Sequence, residues 1–135
     1  MLLVGAATIG YSLDTFLVLI GSVQFPISSQ FGGPAPLWMV AMWVNMAASL
    51  RYSLGWMRNR YFFGALLGMI LGPAAYLAGE RLGGINLIDG MLPIAIEWFI
   101  AMPLLLLLER ISRTSNASNP KFPLNQVNVD GAEKE

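Results

Sequence analysis

Between Met1 and Leu50 the chain carries a single charged side chain, Asp14, and the next charge is Arg51. A stretch of that length without charge is enough for two bilayer crossings, because about 20 apolar residues span a hydrocarbon core of about 30 Å. The rest of the composition agrees. Of 135 residues, 56% are hydrophobic and 12% are charged, whereas soluble domains carry about 25% charged residues. Such a chain lacks the polar surface that a soluble core needs, and it is too apolar to be disordered. It contains no Cys and no His, which removes disulfides, thiol nucleophiles, histidine bases and the usual zinc sites. Neither a metal nor a cofactor is expected. Eight basic residues balance eight acidic ones, so there is no basic footprint for nucleic acid. An integral membrane protein remains.

Four segments qualify as spans: about 2–23, 37–57, 61–79 and 91–108. Inside lipid every backbone polar group must be satisfied within the protein, which leaves helices or a closed barrel. Runs such as Leu104–Leu108 do not alternate as barrel strands do. The expected fold is therefore all-α, a polytopic transmembrane helical bundle of four spans within residues 1–110. The first connection, Gln24–Pro36, holds three prolines and a Gly-Gly pair, which stop helices and favour turns. In the third connection Asp89 is placed to cap the fourth helix. Residues 111–135 are polar and rich in Asn and Ser, and are expected to form a disordered cytoplasmic tail.

Lys and Arg set orientation. Arg51, Arg58, Arg60, Arg110, Arg113, Lys121 and Lys134 fall on one side of a four-span chain and Arg81 alone on the other. The Arg58 joint and the C terminus are thus expected in the cytoplasm. Met1 runs directly into Leu2-Leu3-Val4 without a flanking positive residue, which points to missing upstream residues. The first segment is also too long for a signal peptide.

An ionisable group within a span is costly, about 2.5–3.5 kcal/mol at the helix centre, and is a site candidate by default. Asp14 lies near the middle of the first span, Glu97 in the outer part of the fourth, and Glu80 and Arg81 close the third. The topology brings them to similar depth, where Arg81 is expected to bind an acid in bidentate fashion. Tyr76, as a proton donor, and Asn45, midway along the second span, complete the candidate polar cluster. Gly64, Gly68 and Gly72 recur every fourth residue and read as a helix-packing face. Trp43 and Met39 read as lipid-facing or core bulk. No phosphate-binding loop, nucleophile elbow, metalloprotease or dinucleotide motif is present, so no enzymatic activity is indicated.

The strings Pro36-Leu37-Trp38-Met39, Leu13-Asp14-Thr15 and Gly72-Pro73-Ala74-Ala75-Tyr76-Leu77-Ala78-Gly79-Glu80-Arg81-Leu82-Gly83 resemble the bacterial inner-membrane family known as domain of unknown function 2878. The resemblance covers about residues 2–110. It implies further hydrophobic segments upstream of the Asp14 helix and no known activity. The leading expectation is an accessory in membrane-lipid or envelope maintenance in the bacterial inner membrane. Asp14 and Glu97 would supply acids and Arg81 an anion contact. The alternatives are a small proton-coupled transporter, or a structural subunit that docks another membrane protein through its glycine face. The partners expected are the bilayer, lipid headgroups or another membrane protein.

Overall fold

The computed structural model describes residues 1–27 and 33–117. The described residues are mostly helical and form four α-helices: α1 (Leu2–Leu19), α2 (Leu37–Tyr52), α3 (Tyr61–Arg81) and α4 (Leu92–Ala117). A short 3-10 turn, Gly55–Met57, joins α2 to α3. Two-residue strands, β1 (Val23–Gln24) and β2 (Asn86–Leu87), follow α1 and α3. Three helices, α1, α3 and α4, are long and apolar enough to cross a membrane, the pattern of a membrane-embedded protein. At 16 residues, α2 covers about 24 Å at 1.5 Å per residue, short of a full hydrocarbon core.

The helix ends differ from the expected boundaries for identifiable reasons. After α1, Gly21 takes φ 82°; its N–H bonds the Val18 carbonyl and the Ser22 N–H bonds the Leu17 carbonyl. This pair of bonds closes a helix through a left-handed residue, so α1 stops four residues before position 23. The same device ends α3, with Gly83 at φ 76°, Gly83 N–H on the Glu80 carbonyl and Gly84 N–H on the Gly79 carbonyl. The helix therefore runs on through Arg81. In α2, the Ser53 and Leu54 N–H groups both turn back onto the Ser49 carbonyl, ending the helix at Tyr52 instead of position 57. Asn59, at φ 63°, then turns the chain into α3, a conformation that asparagine tolerates better than most residues.

The expected tail begins too early. α4 continues to Ala117, and residues 118–135 lie outside the described residues. The extension has a buried anchor: Glu109 is 2% exposed and ion-pairs Arg113 at 2.7 Å. The guanidinium N–H lies off the line of a hydrogen bond. Both residues point to one side of the last turns, as positions i and i+4 do.

β1 and β2 pair antiparallel, Val23 opposite Leu87 and Gln24 opposite Asn86. The ladder fastens the connections after α1 and α3 to each other, so those helix ends share one end of the bundle. Ser22 extends the join: its carbonyl accepts the Ile88 N–H at 3.0 Å and its hydroxyl donates to Asp89 at 2.6 Å. Asp89 therefore does not cap α4. The helix starts at Leu92, with the Ala95 N–H on the Met91 carbonyl, leaving Asp89 too far upstream.

Two buried clusters fill the interior. One gathers Leu2, Ala6, Trp43, Ala47, Leu50, Met102 and Leu105. The other, nearer the ladder, gathers Leu17, Val23, Phe25, Met39, Tyr76, Ile85 and Ile94. α1 packs on α2 and α4, and α3 packs closely on α4, while α2 and α3 have no backbone contact. That gap positions the candidate site.

Candidate functional site

α1 buries one stripe, Leu2, Ala6, Gly10, Asp14 and Leu17, the spacing of a single helix face. Asp14 is thus directed inward by the same periodicity that packs its apolar neighbours, and it is 1% exposed. Its carboxylate accepts two hydrogen bonds. Trp43 on α2 donates from Nε1 to Oδ2 at 2.7 Å, and the Tyr76 hydroxyl on α3 donates to Oδ1. One acid therefore ties α1, α2 and α3 together.

Two glycines seat the aromatic rings around it. A Cβ at Gly10 would lie 2.0 Å from Cγ of Trp43, so only glycine lets the indole approach α1 this closely. A Cβ at Gly72 would lie 2.2 Å from Cγ of Trp98. Trp43 and Trp98 stack with ring centroids 4.7 Å apart and planes 11° from parallel, a contact that adds α4 to the junction.

Glu97, beside Trp98 on α4, is 6% exposed. Neither of its carboxyl oxygens has a hydrogen-bond partner among the described residues. Glu97 interacts electrostatically with Asp14 and with Tyr76. Among the described residues, neither acid is ion-paired to a basic side chain. Two acids therefore face one interior without a compensating cation, an arrangement that costs several kcal/mol in lipid unless something neutralises it.

A groove opens where α2 and α3 fail to meet. It has a volume of about 660 Å³, within the size range of small-molecule sites. Met42 and Met46 form its α2 wall, Leu71 and Ala75 its α3 wall, and Trp98 and Met102 of α4 its floor. Trp38 and Trp56 line it as well, one in the first turn of α2 and the other in the 3-10 turn beyond its last. Tyr76 and Trp43 line the groove and stand between it and Asp14. On another side of the bundle, a crevice of about 320 Å³ separates α1 from α4, and Glu97 lines it.

Of the candidate residues, Asp14, Tyr76 and Glu97 come together in this interior. Glu80 does not join them: its Oε1 accepts the Leu87 N–H at 3.0 Å, holding the start of the connection to α4. The expected bidentate contact of Arg81 with an acid is absent. Arg81 is exposed and, among the described residues, forms no ion pair. The reason is local: the glycine-closed end of α3 commits Glu80 to backbone, and the adjacent residue points away from it. Asn45 is exposed on the α2 lip of the groove. Gly64, Gly68 and Gly72 lie under α4, where a Cβ would meet Leu106, Met102 and the Trp98 carbonyl, or Trp98. Their face is occupied within the chain, so it offers no free surface to a partner helix.

Sequence reasoning missed Trp43 and Trp98 as members of the site. The available signal was chemical: a tryptophan in lipid needs an acceptor for its N–H, and few are present in these spans. It also missed the Glu109–Arg113 pair, whose i, i+4 spacing was visible.

No curated protein matches the chain, and neither does any solved structure. A family model described as a protein of unknown function, DUF2878, matches residues 1–104. The match covers most of the chain, and with it the Asp14, Trp43, Tyr76 and Glu97 junction and both openings: the chain belongs to the DUF2878 family.

Proposed function

We propose that this protein holds a lipid acyl chain in the α2–α3 groove and serves as an accessory in membrane-lipid or envelope maintenance in the bacterial inner membrane. The carrying observation is the lateral gap itself. Two neighbouring helices with no backbone contact leave an apolar trough floored by a third. Within a bilayer, association gains little from hydrophobicity, because lipid tails are as apolar as the walls. Retention then depends on dispersion contacts and fit. The methionines Met39, Met42, Met46 and Met102 along the trough supply side chains that adapt to an irregular tail.

In this reading the chain crosses four times, with α2 and the following 3-10 turn together forming the short span and the C terminus in the cytoplasm. The supporting pattern is the distribution of basic residues, seven to one across the membrane. Trp38 and Trp56 then mark the two headgroup levels at the ends of the groove. Arg81, exposed and two residues beyond the groove-lining Gly79, is available to a lipid phosphate at the outer level.

Ala75 is exposed on the groove wall, so Ala75→Trp fills the trough without entering the helix-packing core. Native mass spectrometry of the purified protein should show a retained lipid, lost in Ala75→Trp while the melting temperature is preserved. Equal lipid retention in both proteins refutes the groove as its site. A proton-coupled carrier is the second reading, favoured by the buried Asp14–Glu97 pair. Its mark would be ion-coupled solute uptake in vesicles that Glu97→Gln abolishes.

A further inference from the structure

The two ends of the α2–α3 groove differ in polarity and charge. The joint between the helices closes one end, where Leu54, Trp56 and Met57 line it. Toward this end the α2 wall turns polar: Asn45, Ser49 and Ser53 follow one another at four-residue steps along one face. Trp38, Met39 and Met42 line the other half of the same wall. The Ser49 hydroxyl donates to the Asn45 carbonyl at 2.9 Å, whereas the Ser53 hydroxyl has no partner among the described residues. Charge separates the ends more sharply. Arg51, Arg58, Arg60, Arg110 and Arg113 gather at the joint end with a single acid, Glu109. That acid is ion-paired to Arg113, so the exposed Arg58 and Arg60 have no ion-pair partner among the described residues. Arg58 folds back over the 3-10 turn. Its guanidinium carbon lies 3.5 Å from where a Cβ of Gly55 would stand, and Gly55 sits between the lining residues Leu54 and Trp56. Arg51, two residues from both Ser49 and Ser53, falls on the opposite face of α2 and does not line the groove. At the far end Arg81 stands with two acids, Glu80 and Asp89.

We propose that the groove selects an anionic glycerophospholipid and seats it with its head at the α2–α3 joint. Arg58 and Arg60 hold the phosphate, the Ser53 hydroxyl donates to an ester carbonyl, and the acyl chain runs along Met46 and Met42. An apolar trough with two unpaired guanidinium groups at one mouth complements an anionic amphiphile. A phosphodiester without an ammonium of its own gains most from them, because a zwitterionic head already neutralises its phosphate. This inference rests on the reading of the groove as an acyl-chain site and adds to it the headgroup and the direction of the lipid. In the orientation that the basic residues favour, the lipid comes from the cytoplasmic leaflet. Arg81 then meets headgroups of the opposite leaflet, outside the groove.

Lipid titration of the delipidated full chain in detergent micelles tests the proposal, with bound lipid counted by native mass spectrometry. Phosphatidylglycerol and phosphatidylcholine of identical acyl chains are the probes. Phosphatidylglycerol should bind about tenfold tighter, the order of one hydrogen bond to a charged group. The double variant Arg58→Gln/Arg60→Gln should bring the two lipids to near-equal affinity, and the phosphatidylcholine it still binds reports an intact groove. Arg51→Gln, which removes a charge at the same end but off the groove, should keep the preference. Ser53→Ala should weaken both lipids alike, since both carry the ester. Inorganic phosphate in excess should not displace phosphatidylglycerol, which separates a lipid head from a free anion. Equal binding of the two lipids to the native chain, blocked for both by Ala75→Trp, overturns headgroup selection and leaves the acyl-chain groove standing. Undiminished binding of both lipids in Ala75→Trp refutes the groove, and this proposal with it. The proposal also falls if Arg51→Gln erases the preference as fully as the double variant, if Arg81→Gln erases it and the double variant does not, or if inorganic phosphate displaces the lipid. Unchanged binding in Ser53→Ala removes that hydroxyl from the site.

Discussion

Tyr76→Phe removes one hydroxyl from the junction and little else, which makes it a clean probe of the Asp14 site. Tyr76 is 3% exposed and Asp14 1%, so neither water nor a surface rotamer can replace the lost bond. The remaining donor, Trp43 Nε1, is committed to the other carboxyl oxygen at 2.7 Å. Asp14 Oδ1 is then left without a partner. In water a hydrogen bond to a charged group is worth about 1.5–3 kcal/mol. Within membranes measured pairs average about 0.6 and reach about 1.7 kcal/mol, because the unfolded helices also find partners. The burial of this pair places the expected loss near the upper membrane figure, about 1–1.5 kcal/mol. Reversible unfolding in mixed micelles measures it. The same substitution in an Asp14→Leu background should cost nothing or stabilise slightly, since it deletes a buried hydroxyl that has already lost its Asp14 acceptor. A coupling energy near zero across this cycle, or an equal loss in both backgrounds, would refute the claim that the hydroxyl acts through Asp14.

Three further perturbations follow from the same geometry. Gly68→Ala places a Cβ 2.4 Å from Met102 Cγ and 2.7 Å from the Trp98 carbonyl oxygen, and the backbone atom cannot swing aside. The expected destabilisation is about 1–3 kcal/mol. Gly79→Ala meets only the flexible end of Ile85 at 2.9 Å and gains up to about 1 kcal/mol of helix propensity, so it should be nearly neutral by thermal unfolding. Ser22→Ala deletes the 2.6 Å bond to Asp89 and should cost about 1 kcal/mol. Hydrogen exchange should quicken at the Ile88 amide and at the ladder residues Val23 and Leu87, while amides in α3 are unchanged.

The parts of this structure that follow from local chemistry were legible in the sequence. The near-absence of charge before Arg51, broken by Asp14 alone, announced membrane helices, and the rarity of Asp14 and Glu97 singled them out. The four-residue spacing of Gly64, Gly68 and Gly72 pointed to close helix packing, although only the structure identifies α4 as the helix beneath it. What was not legible depends on pairing between distant segments. Trp43 and Asp14 are far apart in sequence, and nothing in either helix announces that one indole donates to the other's acid. Arg81 was expected to seek an acid. Its neighbour Glu80 instead satisfies a backbone N–H at Leu87, a contact that exists only once the glycine-closed turn has formed. The two strands were invisible because two residues carry no period; they arise where the connections meet.

The central claim is that the α2–α3 gap holds an acyl chain, and photolabelling tests it most directly. A phospholipid carrying a diazirine at mid-chain is incorporated into vesicles with the full protein, activated, and the adducts are mapped by mass spectrometry. The account predicts adducts concentrated on the groove residues Met42, Met46, Leu71 and Ala75, and depleted there in Ala75→Trp. Adducts spread evenly over exposed apolar residues outside the groove, such as Val4, Leu19, Phe62 and Leu107, would contradict it.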